Sequence, residues 1–208
     1  MKDYLILDIE TLARPREELD RMMPEFEPPG NVKDPAKVAA AIAAKRVKWL
    51  ADAALDATTG RIAILGTLTR NGAVMLRADV MSEARMLTEF WRMQDAADVS
   101  VIVGHNLRNF DMPFIIRRSF MNGLGLPLGI LHKNRLTERF VDTMEMWGAG
   151  ERNAMISLDA LARALGVGGK TGSGGDFSAL WEADKERAVE YCAHDLELTR
   201  QVAERMGL

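Results

Sequence analysis

Apolar and polar positions along the chain switch between the period of a strand and that of a helix. Tyr4 to Ile9 (YLILDI) is a short, nearly continuous apolar run that ends among acids, as in a buried strand. Residues 13–30 hold Pro15, Pro24, Pro28 and Pro29, which predicts an irregular excursion. From Pro35 to about Leu55 the chain is rich in Ala and Lys, a strong helix composition. Val38, Ile42 and Trp49 recur there at four and seven residues and form one apolar stripe. Asp34 followed by Pro35 suits an N-cap and a first helical position.

Arg61 to Leu76 (RIAILGTLTRNGAVML) sets two apolar runs around Asn71-Gly72, the pair favoured in a two-residue hairpin turn. Ser82 to about Ala97 reads as a helix with Met86, Leu87, Phe90 and Met93 on one face. Val99 to Val103 is a short buried strand. Asp111 to Met121 is a helix, with Pro113 in the first turn where proline is tolerated. Phe140 to Met144 is expected as a strand and Leu158 to Leu165 as a short helix. Gly166 to Gly175 is glycine-rich and expected to be mobile, and Asp184 to Met206 is a long closing helix. Strands alternating with helices imply an α/β layered fold, and the hairpin makes its sheet mixed. With no repeat and no long linker, residues 1–208 read as one domain with an insertion at about 13–60.

Composition narrows the class. The 208 residues are 48% hydrophobic, enough for one sizeable core. Charged residues make up 27%, and no apolar run approaches the roughly 20 residues of a spanning helix. The start, MKDYLILDIET, carries Asp3, Asp8 and Glu10 where a secretory leader is basic and then apolar, so a cytoplasmic protein is expected. Cys192 is the only cysteine, which excludes an internal disulfide and a thiolate zinc site. The net charge is −3, so a nucleic-acid ligand would need something other than bulk positive charge to hold its phosphates. Divalent cations could do that.

Candidate chemistry lies in the acids. Asp8 and Glu10 are two apart on the first strand, so both point to one side. The run Gly104-His105-Asn106-Leu107-Arg108-Asn109-Phe110-Asp111 follows a strand and opens a helix, where Asp111 could serve a site or cap the helix. Tyr191 and Asp195 are four apart on the closing helix and share a face. Asp142, in Val141-Asp142-Thr143-Met144, reads more simply as a turn or cap. Carboxylates gathered at one sheet edge repel one another and raise each other's pKa. Cations relieve that repulsion, and an all-oxygen ligand set favours Mg²⁺ or Mn²⁺. Gly169-Lys170-Thr171 is not a phosphate-binding P-loop, because Ala164 stands where the first glycine is required. His105, His132 and His194 lack metal-ligand spacing, and the 13 methionines read as core filling.

Asp8-x-Glu10, Asn106-x-x-x-Phe110-Asp111 and Tyr191-x-x-x-Asp195, in this order, resemble the three motifs of the DEDD 3′–5′ exonucleases. Tyr191 is similar to the mark of the DEDDy branch; the DEDDh branch would want His at position 190, which is Glu190. Val141 to Val167 resembles the stretch before the third motif in polymerase proofreading domains. Asn31 to Pro35 and Ala54 to Ile62 look similar to stand-alone, phage and bacterial relatives of the B-family polymerase exonuclease domain. The resemblance implies a ribonuclease H-like fold and two-metal-ion hydrolysis of single-stranded DNA from the 3′ end to nucleoside 5′-monophosphates. It implies Asp8, Glu10, Asp111 and Asp195 as metal ligands for two Mg²⁺ or Mn²⁺ ions, and Tyr191 as the residue that orients the attacking water. Thr11, Leu12, His105, Asn106 and Phe110 are the implied substrate contacts, although His105 and Phe110 also read as structural residues. Lys33, Lys37, Lys45, Arg46 and Lys48 of the insertion are candidate contacts to a single strand. The same chemistry on RNA, or a proofreading module inside a larger assembly, remains an open alternative. No membrane partner is expected.

Overall fold

The computed structural model describes residues 4–28, 30–31, 33–96, 101–127, 139–151, 154–170 and 174–208. The chain forms two compact units, Met1–Glu10 with Ile62–Leu208 and, inserted between them in sequence, Thr11–Arg61.

In chain order the strands are β1 (Tyr4–Ala13), β2 (Gly60–Thr69), β3 (Gly72–Arg77), β4 (Val101–Gly104) and β5 (Phe140–Asp142). The α-helices described are α1 (Arg16–Met22), α2 (Pro35–Ala51), α3 (Glu83–Ala96), α4 (Asp111–Met121), α5 (Thr143–Gly148), α6 (Leu158–Leu165), α7 (Phe177–Ala183) and α8 (Lys185–Arg205). The strands make one sheet in the order β3-β2-β1-β4-β5. β4 runs parallel to β1, in the register Ile6 opposite Val103, and parallel to β5, with Gly104 opposite Asp142. β2 and β3 are antiparallel. This is the mixed α/β architecture of a ribonuclease H-like fold.

The large unit is organised around α8. Its Leu196 and Ala203 pack on Ile6 of β1 and Val103 of β4, while Leu198 and Val202 pack on Leu158, Leu161 and Ala162 of α6. Close approach of α8 to β2 depends on Gly66: a Cβ there would meet Sγ of Cys192 at 2.8 Å and Leu196 Cδ1 at 2.9 Å. Nearby, the buried Arg118 of α4 pairs with Glu83 of α3, whose carboxylate also accepts the Ile62 N–H at 2.8 Å and the Asn122 amide at 3.1 Å. These bonds join the edge of the sheet to two helices. No helix among the described residues is long and apolar enough to cross a membrane.

Several expectations are revised by the structure. The hairpin forms, but Thr69 pairs with Gly72, so Arg70 and Asn71 make the turn. Gly72 spends its positive φ (115°) on the first residue of β3 rather than inside the turn. The strand expected at Phe140–Met144 stops at Asp142, which caps α5 through Met144 N–H at 3.0 Å. Helix α7 was not expected from the sequence. The glycine-rich loop falls partly outside the described residues; its described part is anchored, with Lys170 N–H donating to Asp159 Oδ1 at 2.7 Å.

In the inserted unit, Arg14 N–H bonds Thr59 O at 2.9 Å, which ties the two ends of the segment together. The proline-rich stretch is not wholly irregular, because α1 forms within it. Pro15 precedes the helix, ion pairs Arg14–Glu18 and Arg16–Asp20 span single turns, and Leu19 alone is buried. Asp34 caps α2 as expected, accepting Ala36 N–H at 2.9 Å. α2 has no buried residue; Val38, Ile42 and Trp49 are its half-buried side.

Candidate metal-binding acid site

Asp8 and Glu10 lie on the same side of β1, one residue either side of Ile9. Asp111 is the first residue of α4 and is 3% exposed. Its Oδ1 accepts the Ile9 N–H at 3.0 Å, which fixes the third carboxyl against the strand that bears the other two. Asp195, 2% exposed, comes from α8, one turn after Tyr191. Strand, helix start and closing helix thus bring four carboxyls into mutual range.

Their electrostatics show the crowding. Desolvation, then the Asp195 charge, pushes Asp8 up to about 7. At 1.36 kcal/mol per pKa unit, that is roughly 4 kcal/mol against ionisation. Glu10 is raised well above the carboxylate range by burial, then by Asp8 and Asp195; Asp111 is raised likewise by burial, then by Asp8. Oδ1 of Asp195 is buried without a hydrogen-bond partner among the described residues.

Lys170 supplies the compensating charge within the chain. Its Nζ bonds Asp195 Oδ2 and lies 5.2 Å from the centre of the Tyr191 ring. Although burial opposes it, the Asp195 charge raises the Lys170 pKa, so the ammonium stays charged. The Tyr191 hydroxyl is buried beside the Lys170 ammonium, and desolvation pushes it up to about 12, so it remains a neutral phenol at physiological pH. Its ring packs 6.3 Å from that of Phe177 on α7.

The donor set fits hard divalent cations such as Mg²⁺ or Mn²⁺, since it is built of carboxylate oxygens whose ionisation is opposed, one of them buried with no partner among the described residues. Asp8, Glu10 and Cys192 can each bring one ligand atom within 4.8 Å of the others. Cys192 was set aside in the sequence because it has no cysteine partner. Here its Sγ lies 3.9 Å from Asp8 Oδ2, and burial, then the neighbouring acids, holds it as a thiol. It is a weak donor to Asp8, not a thiolate ligand.

The other expected residues are placed less uniformly. Thr11 and Leu12 belong to the inserted unit, and Leu12 is buried at 4% exposure. His105 has both ring nitrogens engaged, Nδ1 with Thr143 Oγ1 and Nε2 with Ile156 O, each at 2.9 Å. Phe110 is half-buried, 5.6 Å from the Phe114 ring. Asn106 lies in the loop that leads into Asp111, with φ 61° and a buried Oδ1 that has no partner among the described residues. His194 has Nδ1 3.9 Å from Asp195 Oδ1, beyond hydrogen-bond range. His132 lies outside the described residues. Lys45, Arg46 and Lys48 on α2 are engaged locally, with Glu27 O at 2.9 Å, Met23 Sδ at 3.3 Å and Asp52 at 2.6 Å respectively. The sequence does not mark Lys170 and Cys192 as site residues; the glycines around Lys170 read as a mobile loop.

Known proteins resemble the chain in fold and, over part of its length, in sequence pattern. Over 99% of its length the chain resembles the structure of the family B DNA polymerase from the hyperthermophilic archaeon Pyrobaculum calidifontis, with a TM-score of 0.65 and 17% identity. It spans 24% of that polymerase chain, and the likeness is one of fold. No curated protein matches the chain. Residues 61–202 match the family model described as "Predicted 3'-5' exonuclease related to the exonuclease domain of PolB". The match covers more than half of the chain and takes in Asp111, Lys170, Tyr191 and Asp195, so the chain belongs to this family of predicted 3′–5′ exonucleases.

Proposed function

We propose that the protein is a metal-dependent 3′–5′ exonuclease that hydrolyses single-stranded DNA from the 3′ end and releases nucleoside 5′-monophosphates. The observation that carries this reading is the meeting of Asp8, Glu10, Asp111 and Asp195 with a buried Asp195 oxygen that has no hydrogen-bond partner among the described residues. In a protein of net charge −3, such a site favours chemistry in which bound cations, not a basic surface, hold the phosphate.

Asp8, Glu10, Asp111 and Asp195 would hold two divalent cations. When bound, these would lower the pKa of a water and offset charge on the leaving 3′ oxygen. The chain's own residues supply the rest. Tyr191, neutral and buried, can accept from and donate to the attacking water without acting as a base. Lys170 steadies the Asp195 carboxylate and offsets part of the cluster's charge. The water oxygen forms a bond to phosphorus as the bond from phosphorus to the 3′ oxygen breaks. The water proton is lost, and the 3′ oxygen gains one. Asn106 and the half-buried Phe110 lie on the loop leading into Asp111, suited to contact the terminal nucleotide.

The test is a 5′-labelled single-stranded DNA, beside an RNA of the same sequence, in EDTA, Mg²⁺ or Mn²⁺, with Asp8→Ala as control. A metal-dependent ladder shortening from the 3′ end, absent in the variant, supports the reading. Cleavage confined to RNA would replace the substrate, and cleavage of neither would overturn the activity. A second reading, a proofreading module of a larger assembly, draws on the chain's span of only 24% of the matched polymerase.

A further inference from the structure

Asp142 ends β5 and is 2% exposed. Its Oδ1 accepts the N–H of Asn106 at 2.9 Å and of Met144 at 3.0 Å; its Oδ2 accepts the N–H of Arg108 at 3.0 Å. The Met144 bond is an ordinary cap of α5. The other two reach across to the loop between β4 and α4, and a cap does not require them.

That loop, residues 105–110, is the backbone that leads into Asp111. It also holds an uncommon shape: Asn106 adopts φ 61°, the left-handed region that few non-glycine residues enter and Asn tolerates best. Its surroundings hold that shape in place. Here the braces come from β5 and the segment after it. Thr143 Oγ1 lies 3.2 Å from Gly104 O and 2.9 Å from His105 Nδ1. Arg108 donates through Nε to Phe140 O at 2.8 Å and pairs with Glu145 at 2.7 Å. Among these contacts, Asp142 places a carboxylate on two loop N–H groups, the charge-assisted kind of bond.

We propose that Asp142 is a positioning residue of the acid site. Through the Asn106 and Arg108 N–H groups it sets the loop shape that delivers Asp111 to β1 and aims the Asn106 side chain. It acts through the loop and not on the substrate, and its catalytic consequence rests on the exonuclease reading.

Asp142→Asn is the discriminating variant. Its carbonyl oxygen can keep the Asn106 and Met144 bonds, while its amide group meets the Arg108 N–H donor to donor. Ser157→Ala serves as a structural reference, because it removes the cap that accepts Ala160 N–H on α6 and none of the bonds from Asp142 to the loop. The readouts are thermal midpoint, amide exchange at Arg108, Mn²⁺ affinity by calorimetry, and kcat and KM on single-stranded DNA. We expect Asp142→Asn to melt about where Ser157→Ala does, with faster Arg108 exchange and Mn²⁺ affinity and kcat each lowered about tenfold, as for outer-shell partners of metal ligands. Asp142→Ala should lose more, and Asp142→Asn should recover part of that loss. Wild-type Mn²⁺ affinity and Arg108 exchange in Asp142→Asn would overturn the proposal. If the wild type cleaves no nucleic acid, the exonuclease reading fails, while Mn²⁺ affinity and exchange still decide the role of Asp142.

Discussion

The Lys170 ammonium is bonded to the Asp195 carboxylate, so a charge from the loop after α6 occupies the acid cluster of α8 and β1. Asp195 is almost fully buried and Lys170 is about one-fifth exposed, which makes the pair sensitive to loss of either partner. Lys170→Met should therefore lower stability in EDTA by roughly 3 kcal/mol, the scale for breaking a buried pair. Saturating Mn²⁺ should restore most of the loss by taking over Asp195. Thermal melts of wild type and variant with and without metal decide this. An equal loss in both conditions would show that Lys170 and a cation do not share Asp195.

Metal should matter more to stability as pH rises. Asp8 titrates near 7 when folded and near 3.8 when free, and Glu10 and Asp111 are raised in the same direction. For an acid with a raised folded pKa, the native state binds more protons than the unfolded state between the two values. Stability in EDTA is therefore lost from about pH 4 upward to about pH 7, at as much as about 1.4 kcal/mol per pH unit for each differentially bound proton. Bound cations remove this penalty, so the rise in melting temperature on adding Mn²⁺ should grow between pH 5 and pH 8. A shift that is constant across that range would count against the carboxyls as the metal ligands.

Glu83 behaves in the opposite sense. Burial alone would raise its pKa, but bonds from Arg118, Ile62 N–H and Asn122 outweigh it and hold the carboxyl below its ordinary value. Its stabilising contribution is thus present above the unfolded pKa and lost as pH falls through the lower folded one. Glu83→Ala should cost on the order of 3 kcal/mol in urea unfolding, because it removes the carboxylate paired with the buried Arg118 guanidinium. The cost should shrink in acid, and activity per folded molecule should stay near wild type.

α2 provides a test of strand binding. Lys45, Arg46 and Lys48 are exposed, and their local contacts are of the weak surface kind, readily exchanged for phosphate. If they meet a single strand, Lys45→Ala, Arg46→Ala and Lys48→Ala together should flatten the log–log dependence of DNA affinity on salt by about 2, near 0.7 per lost contact. An unchanged slope would remove α2 from the binding surface.

Much of this protein was readable where local pattern and final structure agree. α4 and α6 span the residues expected of them, Asp111–Met121 and Leu158–Leu165. The acids lie on the elements expected of them, because strand alternation and helical spacing fix which side chains share a face. What escaped was decided by distant partners. Lys170 reaches Asp195 from a glycine-rich segment with no periodicity, so nothing local marks its ammonium. Asp142 looked like a cap because one of its bonds is a cap; the other two close on residues more than 30 positions away. α1 was hidden by the prolines around it, and its single buried residue, Leu19, gives no apolar stripe to read.

Gly66 lets α8 lie so close to β2 that Cys192, the only thiol in the chain, is shut between helix, sheet and acid site. A thiol reagent can reach it only during excursions in which α8 lifts from the strands. The rate at which the native protein consumes such a reagent is therefore a clock for that opening, with no background from other cysteines. Read with and without metal, it measures how firmly an occupied site clamps the helix that carries Tyr191 and Asp195.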